Sequence, residues 1–436
     1  MESATTMTGS YEPLRILSLD GGGIRGISSL LILERIMEKI RDAERLDHVP
    51  RPCDHFDLIG GTSTGGIIAI MLGRLGMTVD ECIRAYRQVA QQAFSPKRTS
   101  IFPASPTGAF SAKALENAIK QIVREYCTDI HCTNRRELGH ATINTCSHSD
   151  MPFRDHACKK TVVLAITKDN VDAPPTLFKT YDSSAAFNNS TLWQVARATS
   201  AATTFFKSIK VGRDDIEFID AGFGYNNPCS ILIQEAQREF PGRGKMRILS
   251  IGTGLGDVVT IKDKRISIIT ALKRMATSSK KVAADVDHHY GGDGKYFRFN
   301  VDQGLQDITL SDWEKASNIS AHTQNYLADN ERLINNFIDM FTQSSLSASR
   351  NGSERTYNDS LQSEEIRSDA SHQIANGNNQ RGTSYSTHLP TSKVNRFSPE
   401  TLPLRSYLDD EPLSGRSKGH WENQCFYEEG DEGCLK

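Results

Sequence analysis

The sequence predicts an α/β protein, a mostly parallel sheet lying between helices. Short apolar runs alternate with helical patterns from Arg15 to about Thr253, and glycine-rich segments stand where two of the runs end. The runs are apolar enough to be buried on both faces, as strands of a parallel sheet are.

In chain order, "ILSL" (Ile16–Leu19) reads as a buried strand. The segment "SSLLILERIMEKI" that follows places Leu33, Ile36, Met37 and Ile40 at helical spacing. "FDLIG" (Phe56–Gly60) is a second strand, and the apolar helix "GIIAIMLGRLG" after it has a stop signal at Gly76. "TVDECIRAYRQVA" opens with Thr78 and Glu81 three apart, the pattern of a capping box. Further strands are expected at "TVVLAIT" (Thr161–Thr167), "IEFI" (Ile216–Ile219) and "MRILSI" (Met246–Ile251).

This reading divides the chain into a flexible N-terminus over 1–13, an α/β domain over 14–260 with an irregular insertion near 127–160, and a helical extension over 261–342 packed on it. Beyond about Gln343 the chain is rich in Ser, Asn, Arg and acids, with too little apolar surface to offset the entropy of ordering. A disordered tail over 343–436 is therefore expected.

The 436 residues are 38% apolar with a formal net charge of −2, which gives no bulk bias toward nucleic acid. The N-terminal residues show no basic segment followed by an apolar core, so no export is expected. The nine cysteines are then read as reduced thiols of a cytoplasmic protein. The longest uncharged run, Leu58–Gly73, is interrupted by Gly, Ser and Thr and falls short of a membrane span, so contact with a bilayer is expected to be peripheral.

"RILSLDGGGIRG" (Arg15–Gly26) places a glycine nest between a strand and a helix N-terminus, where successive N–H groups and the helix dipole favour an anion. Dinucleotide pyrophosphate, nucleotide phosphate and the oxyanion of an acyl intermediate all use such a nest, and the nest alone does not choose between them. "GGTSTGG" supplies the choice. Gly61-Thr62-Ser63-Thr64-Gly65 fits G-x-S-x-G between a strand and a helix, which puts the Ser63 hydroxyl on a tight turn beyond the strand end. Asp220, at the end of "IEFID", is a candidate base for that hydroxyl and equally an ordinary turn or capping aspartate.

"DGGGIRG", "GTSTGG", "ARATSAATTFF", "DAGFGYNNP" and "ILSIGTG" occur in the order and spacing of patatin-like phospholipases, and the chain resembles that family from Leu14 to Thr253. The resemblance implies a Ser63–Asp220 dyad, an oxyanion hole from the amides of Gly21, Gly22 and Gly23, and support from Gly26, Gly61, Gly65 and Gly222, with no metal or other cofactor. Arg25 would add a fixed positive charge near the oxyanion or phosphate. Two departures stand out. Ala221 replaces the usual glycine of the third motif, costing about 1 kcal/mol if that position requires positive φ. Thr203 occupies a position where the family often has proline.

The implied function is a calcium-independent hydrolase of glycerolipid acyl esters, acting through an acyl-serine. An acyltransferase with the same dyad and a non-catalytic nucleotide- or lipid-binding module are the alternatives. A carboxylate is a weak base at neutral pH, so the site must desolvate Asp220 or rely on the nest. An arrangement with a histidine base would draw on His288, His289 or His322. The region holding Cys127, His131, Cys132, His140, Cys146, His148, His156 and Cys158 has Cys127-x4-Cys132 and His156-x-Cys158 spacings that match zinc motifs poorly, so incidental thiols are expected there. The basic segment Ile261–Val282, with Ile266, Ile268, Ile269, Leu272 and Met275 partly on one helical face, suits either an anionic membrane surface or a solvated helix.

Overall fold

A computed structural model of the chain describes residues 12–95, 110–138, 146–181, 185–254 and 266–342. The sequence-based tail, and side chains 255–274 of the basic segment, lie outside the described residues.

The architecture is the mostly parallel sheet flanked by helices that the apolar runs predict. Eight strands build it: β1 (Leu14–Leu19), β2 (Leu58–Thr62), β3 (Lys160–Thr167), β4 (Thr176–Lys179), β5 (Ile209–Val211), β6 (Ile216–Asp220), β7 (Met246–Ile251) and β8 (Tyr296–Phe299). Their order is β5-β6-β3-β2-β1-β7-β8, with β4 also paired to β3. From β3 through β8 neighbouring strands run parallel. Beyond β3 the sheet turns antiparallel, through β4, β6 and β5. The strands β4, β5 and β8, of four, three and four residues, are too short for the sequence pattern to expose them.

Alternate residues of each strand feed two cores. Leu17, Leu19, Ile59, Val163, Phe218 and Leu249 join one. Leu14, Ile16, Leu58, Val162, Leu164 and Ile248 join the other. On the first face lie α1 (Gly26–Glu44), α3 (Thr64–Ala69), α4 (Val79–Ala93), α5 (Ala112–Glu125) and α7 (Leu192–Thr199), after the short α2 (Pro52–His55). The second face takes α9 (Cys229–Glu239), whose Cys229, Leu232, Ile233 and Ala236 are buried.

The remaining helices are α6 (Ile130–Glu137) inside the expected irregular insertion, the single turn α8 (Gly222–Tyr225), α10 (Ile266–Tyr290) and α11 (Ala316–Asp329), which packs on α1. A last helix covers 331–342. Among the described residues no helix is long and apolar enough to cross a membrane.

Local sequence accounts for several boundaries. Gly76, at φ 66°, closes the helical segment that begins with α3. The capping box at α4 forms: the Glu81 amide donates to Thr78 Oγ1 at 3.2 Å, and the Thr78 amide donates to Glu81 Oε2 at 2.9 Å. Replacing Thr78 with Ala leaves the Glu81 amide without its acceptor and is expected to cost about 1 kcal/mol in urea unfolding.

Candidate active site

Parallel β2 runs into the serine turn. Ser63 adopts φ 55° and ψ −125°, a conformation that β2 on one side and α3 on the other hold in place. The flanking glycines are required by close approach: a Cβ on Gly61 would lie 2.2 Å from the Gly65 carbonyl, and one on Gly65 would lie 2.3 Å from the Leu19 carbonyl oxygen. The Ser63 amide donates to Thr199 Oγ1 at 2.8 Å, and that hydroxyl donates to the Leu164 carbonyl at 2.6 Å.

Asp220 reaches the serine by register. Thr62 pairs with Leu164 across β2 and β3, while Ala165 pairs with Asp220 across β3 and β6. The next residue after Thr62 therefore stands level with Asp220, although β6 runs opposite to its neighbour. A one-residue slip would send the aspartate to the other face of the sheet. Ser63 Oγ donates to Asp220 Oδ2 at 2.6 Å, and the Gly222 amide donates to Oδ1 at 2.7 Å. Both side chains are buried.

Burial raises the Asp220 carboxyl to about 7, against the lowering effect of the bonds from Ser63 and Gly222. The carboxylate thereby becomes a base matched to neutral pH. The two residues border a cavity of about 40 Å³, with apolar walls from Phe94, Phe205, Phe206, Phe223, Met275 and Leu310.

The glycine nest is clamped from several sides. Asp20 receives a two-point ion pair from Arg298, at 3.0 and 2.6 Å. The Gly21 carbonyl accepts from Thr253 Oγ1 at 2.7 Å and from Asn226 Nδ2 at 3.3 Å. The Gly21 amide donates to the Asn226 carbonyl at 3.1 Å, and the Gly22 amide to Thr64 Oγ1 at 3.0 Å. Of the three nest glycines, Gly23 is the one that borders the cavity. It sits at φ 56°, where a Cβ would also lie 2.2 Å from the Leu310 carbonyl oxygen. The bare backbone thus answers to crowding by the protein as well as to any ligand.

Arg25 does not supply a charge to the cavity. It is buried, and its guanidinium donates to the carbonyls of Ile308 and Gly254, so it fastens the nest to loops far along the chain. Its partners lie beyond the reach of local sequence reasoning. Gly26 opens α1 with Tyr86 packed against it: a Cβ there would lie 2.7 Å from the Tyr86 hydroxyl. Ala221 has φ −74° and ψ −4°, so the strain considered for it does not arise. Thr203 lies inside a turn closed by the Phe205 and Phe206 amides, both donating to the Ala202 carbonyl.

None of His288, His289 and His322 borders the cavity. His289 Nδ1 is 2.7 Å from the Asp285 carbonyl, and His322 packs against Gly304. Sequence reading passed over Asp20, Thr199, Asn226, Thr253 and Arg298. The blocks "DGGG", "ARATSAATTFF", "NNP" and "GTG" contain four of them, but only folding brings Arg298 to the same place.

Fold and site together define a class, an α/β protein with a serine on a strained strand-to-helix turn facing a buried carboxylate. The patatin-like phospholipase family matches residues 17–233, and over that span the chain belongs to it. Human calcium-independent phospholipase A2-gamma is 28% identical over 350 residues, covering 76% of this chain and 40% of that protein. Phospholipase A I of Arabidopsis thaliana is 27% identical over 283 residues, covering 55% and 21% respectively. Patatin-like protein 2 of the same plant is 29% identical over 266 residues, covering 55% and 59%. The chain spans about 40% or less of the length of the mammalian relatives it matches.

The raised Asp220 carboxyl has two pH consequences. Reaction of Ser63 with a fluorophosphonate needs the carboxylate, so its rate should fall as pH drops through about 7. The native state also holds this proton more tightly than the unfolded chain does. Stability contributed by the site therefore declines as pH rises from the ordinary carboxylate range to about 7, and stays reduced above it. Asp220→Asn carries no charge at any pH, so its melting temperature should exceed the wild type's most clearly above pH 7. A wild-type advantage there would mean that the carboxylate is not desolvated.

Proposed function

We propose that the chain hydrolyses fatty acyl esters of phospholipids or other glycerolipids through an acyl-Ser63 intermediate. The observation that carries this reading is the 2.6 Å bond from the Ser63 hydroxyl to a buried Asp220 carboxylate at the wall of an apolar cavity.

In the proposed cycle, Ser63 Oγ attacks the acyl carbonyl as Asp220 Oδ2 takes its proton. The carboxylic acid then protonates the departing alcohol. Water repeats the attack on the acyl-serine, giving its proton to Asp220, which passes it to Ser63 Oγ as the ester bond breaks and the fatty acid leaves. The Gly222 amide holds the far carboxylate oxygen, so the near one stays aimed at the hydroxyl. The acyl chain lies against the phenylalanine walls and excludes water, which keeps the carboxylate basic.

Gly23 is the nest residue placed to meet the oxyanion, joined by Gly22 when Thr64 releases its amide; each such donor is worth ~3 kcal/mol in the transition state. Gly21, with its amide engaged by Asn226, supports the nest. The chemistry is complete without calcium. The reading places the protein in the cytoplasm and brings it to membrane surfaces peripherally, with the basic segment 261–282 as the contact. Acyl transfer to an alcohol instead of water uses the same steps, and product analysis with an added acceptor separates the two.

Turnover of defined phospholipids and neutral glycerides by the wild type, Ser63→Ala and Asp220→Asn tests the assignment. Both variants should lose at least about 10³-fold, the scale of removing a nucleophile or its base. Wild-type rates should be the same in calcium-free and calcium-supplemented buffer. Retained turnover in either variant breaks the dyad.

A further inference from the structure

The insertion between α5 and β3 brings together side chains that the chemistry above does not use. Cys127 follows the end of α5, Cys132 lies in the first turn of α6, and Cys146 and His148 lie in the irregular segment before β3. One potential ligand atom from each of the four falls within 4.8 Å of all the others. We propose that Cys127, Cys132, Cys146 and His148 form a structural zinc site, separate from the catalytic cavity.

The distances fit a tetrahedron built around a missing centre. With Zn–S near 2.3 Å and Zn–N near 2.0–2.1 Å, tetrahedral ligands stand about 3.8 Å apart sulfur to sulfur and about 3.6 Å apart sulfur to nitrogen. Cys132 Sγ and Cys146 Sγ are 3.7 Å apart. His148 Nδ1 is 3.4, 3.5 and 3.8 Å from the sulfurs of Cys127, Cys132 and Cys146.

Hydrogen bonding gives no equal account of this convergence. A ring nitrogen carries one proton or one lone pair, so Nδ1 can satisfy only one of three thiols. A disulfide does not explain it either, because bonded sulfurs stand about 2.05 Å apart. Three thiolates and one imidazole are soft ligands that select zinc over magnesium, calcium or manganese, and four protein ligands close the site against substrate. None of the four residues borders the catalytic cavity.

The backbone is arranged to hold this set. Asp129 caps α6 by accepting from the amides of His131 and Cys132. Arg136 reaches back to the carbonyls of Glu125 and Cys127, fixing the end of α5 against α6. On the far side of His148, Asp150 accepts from Trp193 Nε1 at 2.7 Å, and the Leu192 amide donates to the Met151 carbonyl at 3.0 Å. These bonds seat the start of α7, the helix that ends at Thr199 beside the nucleophile. A metal at the cluster therefore staples a polar insertion with little core of its own to the helix that supports the serine turn.

This proposal departs from the incidental thiols that the sequence spacing led us to expect. The pairing that matters is Cys127-x4-Cys132 followed by Cys146-x-His148; Cys158 instead donates to the Asp155 carbonyl.

The full chain, expressed with supplementary zinc and purified without a metal-binding tag, is the material for the test. Elemental analysis should give roughly one zinc per chain, falling at least tenfold in Cys132→Ser/Cys146→Ser. Wild type stripped under reducing conditions and refilled with cobalt(II) should show thiolate-to-metal charge transfer and the intense visible bands of tetrahedral cobalt. The cobalt spectrum needs no variant, so a misfolded double mutant would not decide the question. Reduced wild type that binds neither ion overturns the proposal. So does an iron–sulfur absorption in the purified protein, or a Cys132–Cys146 disulfide in its native mass spectrum.

Discussion

The site depends on a carboxylate kept dry beside a serine hydroxyl. In water a carboxylate binds its proton too weakly to serve as a base at neutral pH. Burial of Asp220 shifts that balance to about 7, while the bonds from Ser63 and Gly222 keep the side chain oriented. The fold bears the cost of a buried acid and of a serine at positive φ in the same few residues. Both persist because Ser63 follows β2 and Asp220 ends β6 on either side of β3, in a sheet covered on both faces that fixes the strand register.

The glycine nest obeys a related constraint. Amides can stabilise a developing negative charge only if they are fixed before the charge appears. Asp20 with Arg298, Thr253 and Asn226 on the Gly21 carbonyl, and Arg25 on the carbonyls of Gly254 and Ile308 provide that fixation. Arg298, Thr253, Met275 and Leu310 all lie beyond residue 233, where the family match ends. The working site is therefore larger than the segment its family resemblance marks, and residues after α9 contribute walls and clamps to it.

The strands that line up as apolar runs, the capping box at Thr78 and the serine turn were all legible in the sequence, because each is written within a few consecutive residues. Asp220 was legible as a candidate only. Its strand proved antiparallel to β3, so the general rule about strand ends found the right residue through a different geometry. Arg25 read as a charge for the ligand because its partners stand more than two hundred residues away. The Cys/His region read as a loop because the fourth ligand, His148, breaks the familiar spacing.

By itself, the sequence determined the fold class, the serine turn and the need for a bare backbone before α1, since periodicity and turn chemistry act over one or two turns of chain. Tertiary structure alone decided which glycine meets the cavity, what Arg25 holds and how four scattered side chains converge. Those outcomes depend on strand register and on contacts between distant segments. Neither is written in any local stretch, because each exists only once the sheet has assembled.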